Sequence, residues 1–272
     1  MSNSFLQRYL IATRYTLLEQ FRNRFAFILL LVFVPLWSYL LGEITPDAPL
    51  EFKFFATNTF LHANGHDLIL ITSGLNAISL IVGFILFTST RKNTSFDHRL
   101  ILSGYPQPIL ILAKLTSLAV VASLVALYAS LVLFAFWQPA SLVWVGLGFL
   151  SIGLIYGGLG LLLGVLLKGE LEGFFLVIMV SLIDTSLQNP LGNPVANQDF
   201  LKWFPSFSAM QISVAGGFTS ERPWLYLGFS LLWLAGFVLL GLAVFTWKTR
   251  AHSIHISPSN TSPATPETVS SS

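Results

Sequence analysis

The sequence predicts an all-α integral membrane protein with six transmembrane helices and an N-terminal interfacial amphipathic helix. It also predicts a short cytoplasmic helix between spans two and three, and a re-entrant or surface hairpin between spans five and six. Three observations carry this. Hydrophobic residues make up 54% of the 272 and charged residues only 10%, where a soluble domain is roughly 25% charged. Such a chain cannot clothe a soluble core. The charges are also clustered, leaving long uncharged windows near the ~20 residues that cross a bilayer. Finally, Lys and Arg collect at every second junction between those windows, as cytoplasmic loops do.

Residues Ser4 to Arg24 come first and read as a helix. Leu6, Leu10, Leu17 and Phe21 share one side at 3.6-residue spacing, while Arg8, Glu19 and Arg22 share another. Such a helix lies along the inner interface, with Arg8, Arg14, Arg22 and Arg24 facing anionic headgroups. No cleavable signal is expected, because the first apolar run begins only near Phe25, behind these arginines.

The expected spans are Phe25–Leu41, Leu68–Ser89, Ile109–Trp137, Leu142–Leu167, Leu171–Leu187 and Trp224–Trp247. The fifth is the shortest and ends in "QNPLGNP", which cannot continue a helix. With both termini cytoplasmic, the inner segments hold eleven of the fourteen Lys and Arg residues. The outer ones hold only Lys53, Lys202 and Arg222, beside an acidic first loop with Glu43, Asp47, Glu51 and Asp67. Trp37, Trp137, Trp144 and Trp224 fall near outer borders, as interfacial aromatics do.

Within span four, Gly153 and Gly157, and Gly160 and Gly164, are spaced four apart, so another helix can approach closely. Packing within the subunit and dimerisation both account for the spacing. Asp184 is the acidic residue well inside a span, followed by Thr185, Ser186, Gln188 and Asn189. Asp184, Thr185, Gln188 and Asn189 read either as part of a translocation pathway or as a hydrogen-bonded cap on the helix break. Asp184 also lies near enough to Leu187 to reach the outer interface. Between Asn189 and Arg222, Pro205 and Gly216-Gly217 interrupt an otherwise apolar stretch, so a re-entrant or surface hairpin is expected. Residues 1–250 form a single transmembrane domain, and residues 251–272, with "SPSNTSPATPETVSSS", form a disordered cytoplasmic tail.

Several chemistries have no residues to carry them. Cysteine is absent, which excludes disulfides and thiolate metal sites. His62 and His66 are four apart beside Asp67, but a third ligand at supporting spacing is missing and loop histidines are the expectation. There is no His-Glu-x-x-His, no Gly-x-Ser-x-Gly and no Gly-x4-Gly-Lys-Ser/Thr. The chain is read as no enzyme. A net charge of +2 gives no case for nucleic acid.

The loop between spans two and three is the densest polar stretch, "STRKNTSFDHRLILSGYPQPILILAK". Phe96, Leu100 and Ser103 line one face of a short helix that "SGYPQP" ends. Lys114 reaches back to the interface from the next span.

Here the chain resembles the membrane subunits of ABC type-2 exporters, over residues 1 to about 250. The resemblance rests on the basic N-terminal helix, the six spans, "RLILSGYPQPILILAKL", "FPSFSAMQ" and Gly216-Gly217, in that order. The family's central stretch matches at Asp97, Arg99–Leu102, Ser103-Gly104, Pro106, Ile109–Leu112 and Ala113-Lys114. The chain departs from it where "NTSFDH" replaces the usual Glu and Gly-Thr pair.

The resemblance implies a permease in the plasma membrane that lacks its own motor. A second permease, identical or different, and separate ABC ATPase subunits would be its partners, with membrane lipid around it. This chain would bind no cofactor, since ATP and magnesium would sit on the ATPase. The short helix would then be a coupling helix, and Arg91, Lys92, Asp97, Arg99, Ser103 and Gly104 would form the ATPase-coupling loop. The substrate class implied is hydrophobic or amphipathic, such as a drug or lipid. The alternative is a self-contained secondary transporter or a structural membrane subunit without an ATPase partner.

Overall fold

The structure is a computed structural model that describes residues 2–253. Its helices are α1 (Ser2–Phe21), α2 (Arg24–Ile44), α3 (Gly65–Leu102), α4 (Gln107–Phe136), α5 (Leu142–Leu166), α6 (Glu170–Leu187), α7 (Pro205–Phe218) and α8 (Trp224–Ser253). Two strands, β1 (Pro49–Phe54) and β2 (Thr59–Asn64), and a 3-10 turn at Asp199–Trp203 complete the described residues. Five helices (α2, α3, α4, α5 and α8) are long and apolar enough to cross a bilayer, the architecture of a multi-pass membrane protein. The expected fifth span is α6. Its 18 residues include Glu170, Glu172 and Asp184, and those carboxylates keep it outside the group of five.

The core is organised around α3. Of its apolar window 89% is buried, against 17% for α2 and 6% for α8, so α3 is central and the other two are peripheral. The α5 glycines let α3, α4 and α8 close on this centre. A Cβ on Gly160 would fall against the Gly83 carbonyl and 3.0 Å from the Phe87 nitrogen. One on Gly164 would lie 2.7 Å from Thr90, and those on Gly153 and Gly157 would meet Ala122 and Leu118 of α4. The close approach that the glycine spacing predicts is therefore made within the chain.

Four expectations are changed. First, the acidic loop after α2 is an antiparallel hairpin, pairing Pro49 with Asn64 through Phe54 with Thr59. Leu50, Phe52 and Phe54 alternate with Glu51 and Lys53, and the buried Phe52 and Phe54 face the core. Asn58 takes a positive φ of 54° in the connecting turn, a conformation asparagine tolerates.

Second, the short helix between spans two and three is not separate. α3 runs unbroken for 38 residues to Leu102, because nothing between Ser89 and Ser103 breaks a helix. It stops as expected: Gly104 adopts φ +87°, and the Tyr105 amide folds back onto the Leu100 carbonyl at 3.0 Å.

Third, the segment before α8 contains a buried helix in addition to irregular chain. Asn189 and Asn193 cap turns through Leu191 N and Val195 N, and then α7 starts with Pro205 as its first residue. All but the ends of α7 is buried. Gly216 and Gly217 let its last turn meet α5, where Ser141 N donates to the Gly216 carbonyl at 2.7 Å.

Fourth, the helix of α8 continues through Ser253, past the expected boundary at residue 250. Most of the expected disordered tail, residues 254–272, lies outside the described residues.

Candidate functional site

α1, the end of α3 and the start of α4 meet at one end of the bundle. α1 turns its uncharged polar face inward. Tyr9 Oη and Thr116 Oγ1 are 2.7 Å apart, and Ser117 Oγ donates to Gln20 Oε1 at 2.6 Å. The stripe of Leu6, Leu10 and Phe21 stays exposed, as do Arg8, Arg14, Arg22 and Arg24. An apolar stripe left outside while polar groups pack inward is the inverse of a soluble helix and suits a lipid-facing one.

The end of α3 is fastened from three sides. Asn93 Nδ2 donates to the Glu19 carboxylate of α1. Tyr105 Oη donates to the Arg8 carbonyl at 2.9 Å. Arg91 pairs with Glu170 at the start of α6, 2.9 Å away. Asp97 is buried and forms an ion pair with Lys114 of α4. Of the expected coupling residues, Asp97 and Arg91 therefore hold the end together, while Lys92, Arg99, Ser103 and Gly104 are exposed. Phe96 and Leu102 are exposed beside them, at 61% and 74%. The face expected of the short helix includes Phe96 but not Leu102, for which charge gives no signal.

A second polar cluster lies inside the bundle. Asp184 is buried among the helices, and its carboxylate accepts three hydrogen bonds. Tyr156 Oη donates to Oδ2 at 2.6 Å, Ser206 N to Oδ2 at 2.9 Å, and Ser206 Oγ to Oδ1 at 2.6 Å. α5, α6 and α7 are thereby joined at one carboxylate. Beside it, Asn76 donates to Thr185 Oγ1 at 2.7 Å, and Ser79 meets Ser181. Gln188 Nε2 reaches the Leu201 carbonyl at 3.2 Å, and Asn189 caps the following turn. Thr185, Gln188 and Asn189 thus fasten the end of α6. Sequence reasoning missed Tyr156 and Ser206, although a tyrosine within an apolar span must find a partner for its hydroxyl.

At the hairpin end, Lys53 and Lys202 lie 4.8 Å and 5.1 Å from the Phe55 ring centre, and both approach Asp199. The hydrogen bond from Lys202, with the charges of Lys202 and Lys53, holds the Asp199 carboxyl below the usual carboxylate range. Its folded value is depressed, so what it lends to stability is present at neutral pH and is lost as pH falls through that value. Asp199→Asn is expected to flatten the acid limb of a thermal-stability profile slightly, because the group is exposed. An acid limb unchanged by the substitution would remove this contribution. His62 lies on β2 and His66 on α3, and no group of three or more potential ligands for a metal ion occurs among the described residues.

No protein-family model matches the chain, and no curated protein does.

Proposed function

We propose that the chain is the membrane-spanning permease of an ATP-driven exporter of the ABC type-2 kind, with six spans and both termini cytoplasmic. In this reading α6 is the fifth span, and residues 189–222, α7 included, form the re-entrant segment before α8. One observation carries the proposal. α1, the end of α3 and the start of α4 form a single fastened unit, joined by Tyr9–Thr116, Gln20–Ser117, Tyr105–Arg8, Asn93–Glu19 and Asp97–Lys114. A push on the tip of α3 moves α1 and α4 with it, which a motor docked underneath requires. The motor must contact that tip differently in its two nucleotide states.

The tip offers Phe96, Arg99 and Leu102 for docking onto a separate ATPase, with which a second permease would complete the assembly. Its export substrate would be hydrophobic or amphipathic. Phe96→Asp with Arg99→Glu is expected to leave the melting temperature of the permease within a few degrees of wild type. Co-purification of the ATPase, and transport-coupled ATP hydrolysis, should fall at least about tenfold, the loss expected when a hot-spot contact is removed. Full coupling in a folded double variant would refute the docking role. The burial of Asp184 favours a second reading, an ion-coupled carrier. Transport by the purified chain in vesicles, driven by an ion gradient without ATP, would support that reading over the first.

A further inference from the structure

A half-open polar cavity of about 310 Å³ lies between the α1–α2 corner and α3. Arg22 and Arg24 come from the corner, and Lys92 from α3. All three are exposed, and none is paired with a carboxylate among the described residues. The one acidic side chain on the wall, Glu19, already accepts the Asn93 amide. Three cations thus converge on one space with a single, engaged carboxylate. A second cavity of about 200 Å³ adjoins it and shares Gln20 and Ile85 as its border. Its walls are otherwise apolar, with Phe21 and Phe27 on one side and Val121, Leu124 and Val125 of α4 on the other.

We propose that these adjoining cavities are a binding site for one anionic phospholipid, its phosphate among Arg22, Arg24 and Lys92 and an acyl chain between α2 and α4. The charge selects an anion, and basic pockets between membrane helices are suited to anionic headgroups. The contiguous apolar cavity selects a lipid over free phosphate, because a soluble anion would leave it unfilled. The exposed faces of Phe21, Phe27 and Leu124 open the site sideways, where a bilayer rather than water supplies the occupant. The placement also has a consequence for motion: a lipid here would wedge the α1–α2 corner against α3. The proposal depends on the chain being a multi-pass membrane protein and not on the identity of any motor.

Native mass spectrometry of the full chain in detergent, titrated with dioleoyl phosphatidylglycerol or dioleoyl phosphatidylcholine, tests it. One phosphatidylglycerol per chain should be retained in preference to phosphatidylcholine. R22Q/R24Q/K92Q should raise the half-saturating concentration about a hundredfold, since each basic group at an anionic headgroup is worth about fivefold. The charge-matched R8Q/R14Q/R99Q triple should change it by less than about fivefold, because those residues lie outside the cavity. Equal losses in the two triples would mean diffuse attraction to anionic surfaces and overturn the site. The wild-type chain supplies an independent arm that needs no variant. Inorganic phosphate and dihexanoyl phosphatidylglycerol should stabilise it against heat less than dioleoyl phosphatidylglycerol does. Equal stabilisation by phosphate or by the short-chain lipid would also overturn the proposal.

Discussion

Asp184→Ala is expected to destabilise the bundle by about 2–6 kcal/mol, since it strands two buried donors at roughly 1–3 kcal/mol each. The donors are the Tyr156 hydroxyl and the Ser206 amide. Ser206 Oγ keeps an acceptor in the Asp184 carbonyl at 3.2 Å, so it is not counted. Tyr156 Oη has only the Val180 carbonyl at 3.4 Å as a remaining partner. Tyr156→Phe should cost less, about 1–3 kcal/mol, because it removes one donor and leaves the carboxylate two others. The double variant should cost less than the sum of the singles, as members of one hydrogen-bonded group do. Denaturant unfolding in detergent, followed by tryptophan fluorescence, measures all three. Strict additivity would show that Tyr156 and Asp184 do not act together.

Gly160→Ala is expected to cost about 1–3 kcal/mol, the usual penalty for forcing extra volume into a packed core. The added methyl has no flexible neighbour to displace. It meets the Gly83 carbonyl and the Phe87 nitrogen, both backbone atoms of α3, so the two helices must move apart. Gly236→Ala on α8 is the matched control, because a Cβ there has open space around it. In a helix interior that change should be neutral or stabilise by up to about 1 kcal/mol. Thermal unfolding of both variants in the same detergent separates them. A Gly160→Ala protein as stable as the Gly236→Ala protein would mean that α3 and α5 are not in backbone contact.

The membrane character and most of the helices were legible because hydropathy acts locally: an apolar run of sufficient length announces itself without knowledge of its neighbours. The stop after Leu102 was legible for the same reason, since Gly104 and Pro106 constrain their own backbone. The hairpin at Pro49–Asn64 was also written in the chain, as the alternation of Leu50, Phe52 and Phe54 with Glu51 and Lys53. Its acidic and basic residues gave it the hydropathy of a loop, and that reading hid the period of two.

The candidate sites were legible only in part. Residue types told that Arg91, Asp97 and Arg99 belonged to one polar stretch. They could not tell that Asp97 turns inward to Lys114 while Arg99 stays outside, because the two differ only in the face of α3 they occupy. Asp184 was visible as an expensive charge in an apolar helix. Its partners Tyr156 and Ser206 stand 28 and 22 residues away, on different helices, and no local pattern connects them.

Local chemistry, then, decided which segments are helical, where they break and which are apolar enough to cross a bilayer. Long-range packing decided the rest. It set the central place of α3, the burial of α7, the fastening of α1 to α4, and the meeting of Arg22 and Arg24 with Lys92. The division has one physical cause. Backbone preference and hydropathy belong to residues and their near neighbours, whereas hydrogen bonds and ion pairs between helices exist only once the helices are packed.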